Sequence, residues 1–329
     1  MALEFFTPKE LSPALTQEIV RFLDSQTTSH PFQFPQWADS HTRFAFLRHE
    51  GRIFWFANCG IQFPLGTRLA GFRAMTVNRG PVCDDRKVWQ AGMNELVEHA
   101  RNNRLVYLDT APDWLRTPEA GSAPEFSSDW KPLGARRVSL RLDLTKTPDE
   151  LLAQFRKTTR QELRRAERAN LSIDSATRQA DIQEFLKLYL RLAGRKGFSA
   201  DSPEHLRSIV SWLIAEPSRG TLLLARDGVN AAGGAVIVRS AKRCWYVWGA
   251  SDKHQQFSAG HALQWQALLW ARSQGCDEYD FGGYTPGATS GPAWFKEGFG
   301  GRVVDFVPAH RYVLRRRPYR LFRLLSRAR

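Results

Sequence analysis

Two clusters of basic residues carry most of the charge of this 329-residue chain, whose formal net charge at pH 7 is +14. Residues 151–170 hold six basic side chains against two acidic ones, a net +4, and residues 311–329 hold eight arginines and no acid, a net +8. The two stretches therefore supply 12 of the 14 excess charges. Concentrated positive charge attracts polyanions, so we expect two phosphate-bearing partners rather than a uniformly basic surface.

The first cluster has the spacing of a helical stripe. Arg160, Arg164 and Arg168 follow one another at intervals of four, which places them on one helix face. Such a stripe neutralises phosphates, although Glu162 and Glu167 also allow a solvated face with local ion pairs. We predict RNA or phosphate binding by five residues: Arg156, Lys157, Arg160, Arg164 and Arg168.

The second cluster, residues 311–329, mixes arginine with large apolar residues. After Pro318 this pattern predicts a short basic amphipathic helix, which suits anionic lipid headgroups. Two alternatives remain open: a helix packed on the first domain with its arginines outward, and an additional contact with RNA.

A glycine-rich strand end is the third candidate. Asp280-Phe281-Gly282-Gly283 closes a predicted strand and enters a loop, where glycine permits a close backbone approach, or simply a structural turn. Phe295 and Lys296 lie further along the same predicted loop, after Gly291-Pro292.

The elements that position these residues predict an α/β (α+β) protein of two domains. Residues 1–140 contain strand-like runs around a helical pattern from Lys87 to Asn102. Residues 141–310 predict two helices at 179–194 and 203–215, three strands between 221 and 249, a helix at 258–274 and a strand from Glu278. Residues 311–329 are the basic tail.

These motifs resemble the Fem-type (FemABX) peptidyltransferases, which build peptidoglycan cross-bridges with two tandem GNAT-like (acetyltransferase-like) domains. Five segments carry the resemblance in the family's order: Phe32-Gln33 with Trp37, Asn78 to Val82, the helix Arg156 to Arg168, Tyr279 to Gly283, and Phe295 to Gly300. The long helical arm of some members is absent, so we expect no coiled-coil arm. The first domain is interpreted as a weaker copy of the second.

The resemblance implies an aminoacyl-tRNA donor and a peptidoglycan precursor as acceptor. Lys296 is then the catalytic residue, because a fixed ammonium stabilises the oxyanion that forms when an amine attacks an ester. Phe295 would stack on the terminal adenine of the tRNA. The general base stays open among Asp109, Asp280, Glu297 and the 2′-hydroxyl of the tRNA.

The resemblance also implies acceptor-binding residues. These are Trp37, Arg79, Tyr246, Trp248 and His41, the last standing where some members have a phosphate-binding lysine. Tyr246 and Trp248 are two apart on a predicted strand and are expected to face the same way.

Composition narrows the class of protein further. No apolar run approaches the roughly 20 residues of a membrane-spanning helix, and the N-terminus does not resemble a secretory signal. The four cysteines show no zinc-site spacing, so a zinc site is not expected. The transfer reaction that the resemblance implies needs no metal or organic cofactor. We expect a cytoplasmic monomer at the inner face of the membrane.

Two rival functions remain. A coenzyme A-dependent N-acyltransferase shares the fold, and its pyrophosphate loop is nearly matched before Gly260 and Ala262, but Gln256 is one residue out of register, with Phe257 in its place. The other rival is a non-catalytic adaptor that binds RNA or membranes through the same fold. Retention of Lys296 disfavours it.

Overall fold

The structure is a computed structural model, and it describes residues 3–63, 71–116, 124–134, 136–228, 230–252, 258–287, 289 and 291–327. Gln256 and Phe257 lie outside the described residues. The chain forms two compact units. The first unit comprises Met1–Arg137 with Asp305–Arg329, and the second unit comprises Val138–Val304. The sequence placed these boundaries at 140 and 310, with a separate tail.

The helices and strands follow one another in this order. The N-terminal part contains β1 (Glu4–Phe6), α1 (Pro13–Ser25), β2 (Thr42–His49), β3 (Arg52–Gln62), β4 (Ala74–Asn78), α2 (Arg86–Asn102), β5 (Tyr107–Ala111) and β6 (Trp130–Leu133). The central part contains β7 (Arg137–Asp143), α3 (Pro148–Gln154), α4 (Lys157–Arg168), β8 (Ser172–Ser175), α5 (Gln179–Lys196), α6 (Pro203–Ala215), β9 (Gly220–Asp227), β10 (Asn230–Ser240) and β11 (Arg243–Ser251). The C-terminal part contains α7 (Ala259–Ser273), β12 (Glu278–Gly283), α8 (Gly291–Glu297), β13 (Arg302–Phe306), β14 (Ala309–Val313) and α9 (Arg316–Arg327).

Each unit is built on a seven-stranded sheet. The strand order is β1-β2-β3-β4-β5-β14-β6 in one sheet and β13-β7-β12-β11-β10-β9-β8 in the other. The first sheet has a parallel pair, β4 with β5, and the second has a parallel pair, β11 with β12. One helix joins the strands of each pair, α2 in the first case and α7 in the second. The same layout therefore occurs twice, as the expected duplication requires.

Local sequence signals explain where the helices start. The Asp85 side chain accepts hydrogen bonds from the backbone N–H groups of Lys87 and Val88, which caps α2. The sequence Thr147-Pro148-Asp149-Glu150 at the start of α3 forms a capping box, in which the side chains of Thr147 and Glu150 accept from each other's backbone N–H groups. The apolar faces of both helices are buried, and the sheets with their helices enclose two separate hydrophobic cores.

The C-terminal residues complete the first sheet. β14 pairs with β5 on one side and β6 on the other, which is why the chain returns to the first unit at Asp305 and not at 311. The predicted basic helix is α9, and it starts two residues before Pro318. Tyr319 and Phe322 pack on the ring of Tyr107 at 5.9 and 5.5 Å, whereas Leu324 is 66% exposed.

Within the described residues the longest helix is α5 with 18 residues, so they contain no long helical arm. None of the described helices is both long and apolar enough to cross a membrane. The four cysteines are buried and carry free thiols.

Candidate active site

The second unit contains a cavity of about 250 Å³ at the point where β11 continues beyond its parallel partner. Pairing between β11 and β12 stops at Trp245 and Asp280, although β11 runs on to Ser251. Glycine and alanine form much of the wall, so no long side chain fills the space beside them. The lining residues are Leu192, Gly234, Ala235, Tyr246, Gly249, Ala250, Ser251, Ser258, Gly260, Leu263, Gln264, Pro292, Phe295 and Lys296.

Lys296 is the buried cation of this cavity. The sequence placed it in a loop, but it lies on the short helix α8 with only 9% of its surface exposed. Its Nζ donates a hydrogen bond of 2.7 Å to the backbone carbonyl of Gly283. Burial lowers its pKa to about 8, an effect partly opposed by the negative charge of Asp280. The ammonium is therefore held in a place where charge interactions are strong.

A buried network beneath Lys296 fixes the carbonyl that it contacts. Asp280 accepts a hydrogen bond from Arg141 Nε at 2.8 Å and another from the Ser139 hydroxyl. The same carboxylate accepts the backbone N–H of Gly282 at 2.8 Å. Gly282 has a φ of +71°, a conformation that favours glycine, and it leads into Gly283. Burial raises the pKa of Asp280, but Arg141 and the hydrogen bonds outweigh this effect and hold the pKa below its usual value.

Tyr246 and Gln264 also bring polar groups to the cavity. Burial raises the pKa of Tyr246 to about 12, so its hydroxyl keeps its proton. A Cβ on Gly249 would overlap that hydroxyl, which explains why glycine occupies the position. Gln264 is buried, and its Oε1 accepts a 2.8 Å hydrogen bond from Tyr279. The amide of Gln264 is thereby fixed in orientation. The sequence did not predict that Gln264 lines a cavity, because only nearby glycines and alanines indicate one.

The expectation that Tyr246 and Trp248 face the same way is wrong. A β-bulge shifts the register of β10 with β11, so Tyr246 pairs with Ile237 and Trp248 pairs with Val236. Since consecutive residues of β10 point to opposite faces, so do the two aromatic residues. Tyr246 lines the cavity, whereas Trp248 is buried elsewhere and donates a hydrogen bond of 2.7 Å to Asp201.

Phe295 is a wall of the cavity. Its ring packs edge-on against His261 and Phe299, with centroids 4.9 and 5.4 Å apart. The predicted stacking on a terminal adenine would compete with these contacts. Its neighbour Trp294, which the sequence analysis did not single out, is 43% exposed.

The basic residues of α4 separate into two groups. Arg160 donates hydrogen bonds to the carbonyls of Ala153 and Phe155 at 3.2 and 2.5 Å, so it caps the end of α3. Arg156 precedes the first turn of α4 and lies 3.5 Å over the ring of Trp294. Lys157, Arg164 and Arg168 are exposed. The predicted stripe is therefore shorter than expected, because its first member is used within the fold.

Three predicted acceptor-binding residues belong to the first unit. Trp37 lies in a short helical turn beside Phe32, with ring centroids 5.7 Å apart. His41 is exposed, and its backbone N–H donates to Asp39. Arg79 forms an ion pair of 2.8 Å with the buried Asp113. The structure thus brings together Lys296, Phe295 and Tyr246 in one cavity, and it holds the other three in the other unit.

The carboxylates considered as general bases already have partners. Arg311 binds Asp109 through two hydrogen bonds of 2.6 and 2.7 Å, and Asp280 is engaged as described above. Glu297 accepts a hydrogen bond from the Tyr284 hydroxyl and lies 3.6 Å from Arg156. Each of the three carboxylates therefore already accepts a hydrogen bond within the fold.

Comparison with known proteins defines the class. An acetyltransferase (GNAT) domain model matches residues 153–297. A tandem GNAT protein from the clavulanic acid biosynthesis pathway covers 95% of this chain and 98% of its own, with a TM-score of 0.53 at 12% identity. The crystal structure of FemX covers 97% of this chain and 99% of its own, with a TM-score of 0.75 at 17% identity. The predicted α/β fold of two GNAT-like domains is confirmed, and the chain is a tandem GNAT-fold protein.

A sequence relative narrows the family. The UDP-N-acetylmuramoylpentapeptide-lysine N(6)-alanyltransferase of Weissella viridescens is 26% identical over 149 residues. The match covers 45% of this chain and 44% of that protein, less than half of either. Together with FemX, this relative supports the Fem-type peptidyltransferase family, the one that the sequence motifs predict.

Proposed function

We propose that this protein is an aminoacyltransferase that moves an amino acid from aminoacyl-tRNA to the stem peptide of a peptidoglycan precursor. The observation that carries the proposal is Lys296, a buried ammonium fixed on the Gly283 carbonyl at the wall of a small cavity. Burying a charge costs stability, so its presence in a cleft indicates chemistry. The alanyltransferase relative supports this reaction class and a lysine side-chain amine as acceptor.

The reaction needs one attack and one departure. The nitrogen of the stem-peptide amine attacks the carbonyl carbon of the ester, and the carbonyl oxygen becomes an oxyanion that the Lys296 ammonium stabilises. The bond between that carbon and the ribose oxygen then breaks. The proton lost by the amine ends on the ribose oxygen, and the products are an amide and free tRNA. Since the nearby carboxylates are engaged, the 2′-hydroxyl of the tRNA is the proton relay we favour.

The walls of the cavity favour an uncharged aminoacyl group. Glycine and alanine are among the lining residues that the structure describes, and no carboxylate is among them to pair with a cationic side chain. The alanyltransferase relative makes alanine the first aminoacyl group to test.

The partners of this reaction follow from the charges. We assign tRNA or precursor phosphates to Arg156, Lys157, Arg164 and Arg168, and the anionic inner face of the membrane to the exposed arginines and leucines of α9. Leu321 and Leu324 are 45% and 66% exposed on a helix rich in arginine, which is the composition of an interfacial helix. Trp37, His41 and Arg79 are proposed acceptor contacts, and the protein is proposed to act as a monomer.

A coenzyme A-dependent acyltransferase is the second candidate, because the matching domain model is that of an acetyltransferase. The two candidate functions predict that different ligands stabilise the folded protein. Acetyl coenzyme A should raise the melting temperature only if this second candidate is correct, since a ligand stabilises the state that binds it.

The decisive test is transfer of radiolabel from a mixed aminoacyl-tRNA pool to lipid-linked and nucleotide-linked precursors in parallel. We expect labelled precursor with the unchanged protein and about 100- to 1000-fold slower labelling with Lys296→Met. If all aminoacyl esters stay intact and no precursor is labelled, the proposal is wrong. A non-catalytic adaptor would bind tRNA under the same conditions without releasing the amino acid.

A further inference from the structure

Trp294 exposes 43% of its surface in a unit where most large aromatic side chains are buried. It stands directly before Phe295 and Lys296 on α8. Pro292, Phe295 and Lys296 face the cavity, and the helical spacing turns Trp294 to another side of the same short helix. The indole is thus presented outward, one residue away from the cavity wall.

Arg156 covers part of this indole. Its guanidinium carbon lies 3.5 Å from the ring centroid, a close cation–π contact. The backbone N–H of Arg156 donates to the Gly298 carbonyl at 2.8 Å, and its guanidinium lies 3.6 Å from Glu297. Glu297 is itself held by the Tyr284 hydroxyl. The aromatic and cationic groups are therefore fixed before any ligand arrives.

The surroundings of Trp294 are polar and basic. Lys157 follows Arg156 on the first turn of α4 and is exposed, and Arg164 is exposed two turns further. Within the described part of α4 and α8, Trp294 is the only large apolar side chain that is exposed. An interfacial membrane patch would need apolar neighbours beside the indole. An aromatic face next to cations is instead what binds an unpaired nucleotide, by stacking its base and neutralising its phosphate.

We propose that Trp294 and Arg156 form a stacking platform for the unpaired 3′-terminal nucleotides of an RNA, which is the donor tRNA if the proposed function holds. The platform supplies the base stacking that the sequence analysis attributed to Phe295, whose ring is occupied by His261 and Phe299. Lys157 and Arg164 extend the contact along the phosphates. The chemistry to be recognised is a single-stranded RNA end of any base sequence.

The test measures binding of a fluorescein-labelled RNA stem with a single-stranded 3′ CCA end, and of the same stem with that end base-paired. We expect Trp294→Ala to weaken binding of the first RNA by about fivefold or more, and Trp294→Phe to restore most of it. Binding of the paired RNA should change little. Phe198→Ala is the matched control, because Phe198 is an aromatic residue of the same unit with 41% exposure. Melting temperatures of all variants verify folding.

Three outcomes would overturn the platform. In the first the unchanged protein binds no RNA, and in the second Trp294→Ala binds it equally well. In the third outcome, Trp294→Ala keeps RNA binding and loses only binding to anionic vesicles, measured in parallel. The experiment also separates the platform from the proposed function. RNA binding that depends on Trp294, without any amino acid transfer, supports the platform and refutes the aminoacyltransferase. Transfer with an unchanged KM for aminoacyl-tRNA in Trp294→Ala supports the enzyme and refutes the platform.

Discussion

The two units share one arrangement of strands and helices, but they differ in whether side chains fill the space beside the helix of the parallel pair. Each has an antiparallel run of strands, a parallel pair joined by a helix, and further strands beyond that pair. In the first unit, Trp55 and Trp89 are fully buried around the helix of the pair, and Gly92 is needed because a Cβ there would overlap Trp55. In the second unit the corresponding helix, α7, borders a cavity. The helix of the parallel pair thus packs in a filled core in the first unit and borders a cavity in the second.

An Arg–Asp pair also occurs in both units. Asp109 on β5 pairs in register with Arg311 on β14, and Asp280 on β12 pairs in register with Arg141 on β7. In the first unit both side chains keep about 15% exposure, whereas in the second both are 2% exposed. The buried pair is connected to a lysine in a cavity, because Asp280 binds Gly282 and Lys296 binds Gly283. The buried pair of the second unit therefore supports the segment whose backbone carbonyl Lys296 contacts.

Removing the lysine should have the largest effect. Lys296→Met is expected to lower kcat/KM for amino acid transfer by about 100- to 1000-fold, because one oxyanion donor is lost. Stability should not fall at pH 7. The folded state holds Lys296 with a pKa of about 8 against an ordinary 10.5, so the stability penalty is fully present below pH 8 and disappears as the pH rises towards 10.5. Thermal melting between pH 6 and 10 measures this window.

The control for this variant is Lys242→Met, which changes a well-exposed lysine of the same unit. It should leave transfer unchanged. A Lys296→Met protein that keeps full transfer, or that fails to fold at pH 7, would contradict the assignment.

Two glycine substitutions test the difference between the packed core of the first unit and the cavity of the second. Gly92→Ala should destabilise the protein by about 1–3 kcal/mol, because the new methyl group meets Trp55 in a packed core. Gly249→Ala should cost less stability, since Tyr246 can turn into the cavity, and should instead reduce transfer of larger amino acids more than that of alanine. Urea unfolding and transfer assays measure both. Equal losses of stability would remove the distinction between the units.

The sequence predicted the helices of each unit better than it predicted the geometry of the site. Helix α6 was expected at its observed bounds, and α2 and α5 within two residues, because apolar periodicity depends on local spacing alone. Strand β14 was missed because its place between β5 and β6 depends on partners about 180 to 200 residues away. The helix around Lys296 was missed because α8 has only seven residues, Gly291-Pro292 included, and so few residues carry little periodic signal.

The site shows the same limit. The resemblance of motifs singled out Lys296, whose catalytic role stays a prediction. Spacing alone predicted the wrong faces for Tyr246 and Trp248, since a single bulged residue reverses the face that a side chain takes. Arg160 fitted a phosphate-binding stripe by its spacing, and only the carbonyls at the end of α3 reveal its structural use. Both facts depend on a second segment of the chain, β10 for the bulge and the end of α3 for Arg160, so spacing within one segment could not predict them.

The repeated Arg–Asp pair gives a prediction for pH dependence. Transfer should decline as the pH rises above about 8, where Lys296 loses its proton. Asp280→Asn removes the negative charge that favours the ammonium, so the decline should begin about 1 pH unit lower. Asp109→Asn, in the less deeply buried pair of the first unit, should leave the midpoint unchanged. Ser139→Ala is a milder variant should Asp280→Asn fold poorly. A midpoint that moves equally for both aspartates would show that the pairs do not differ in function.

The smallest effect is expected at α9, which tests whether the first unit has a surface role of its own. Arg317→Gln and Arg320→Gln each remove one exposed charge and should each weaken binding to vesicles containing anionic lipid by about fivefold, since a basic residue near such a surface contributes about 1 kcal/mol. Transfer to a nucleotide-linked precursor should not change, because that acceptor needs no membrane. Arg164→Gln, an exposed arginine of the second unit, is the matched control and should affect RNA binding instead. If the α9 variants lose RNA binding and keep vesicle binding, the basic helix serves the tRNA, and both units then share one polyanionic partner.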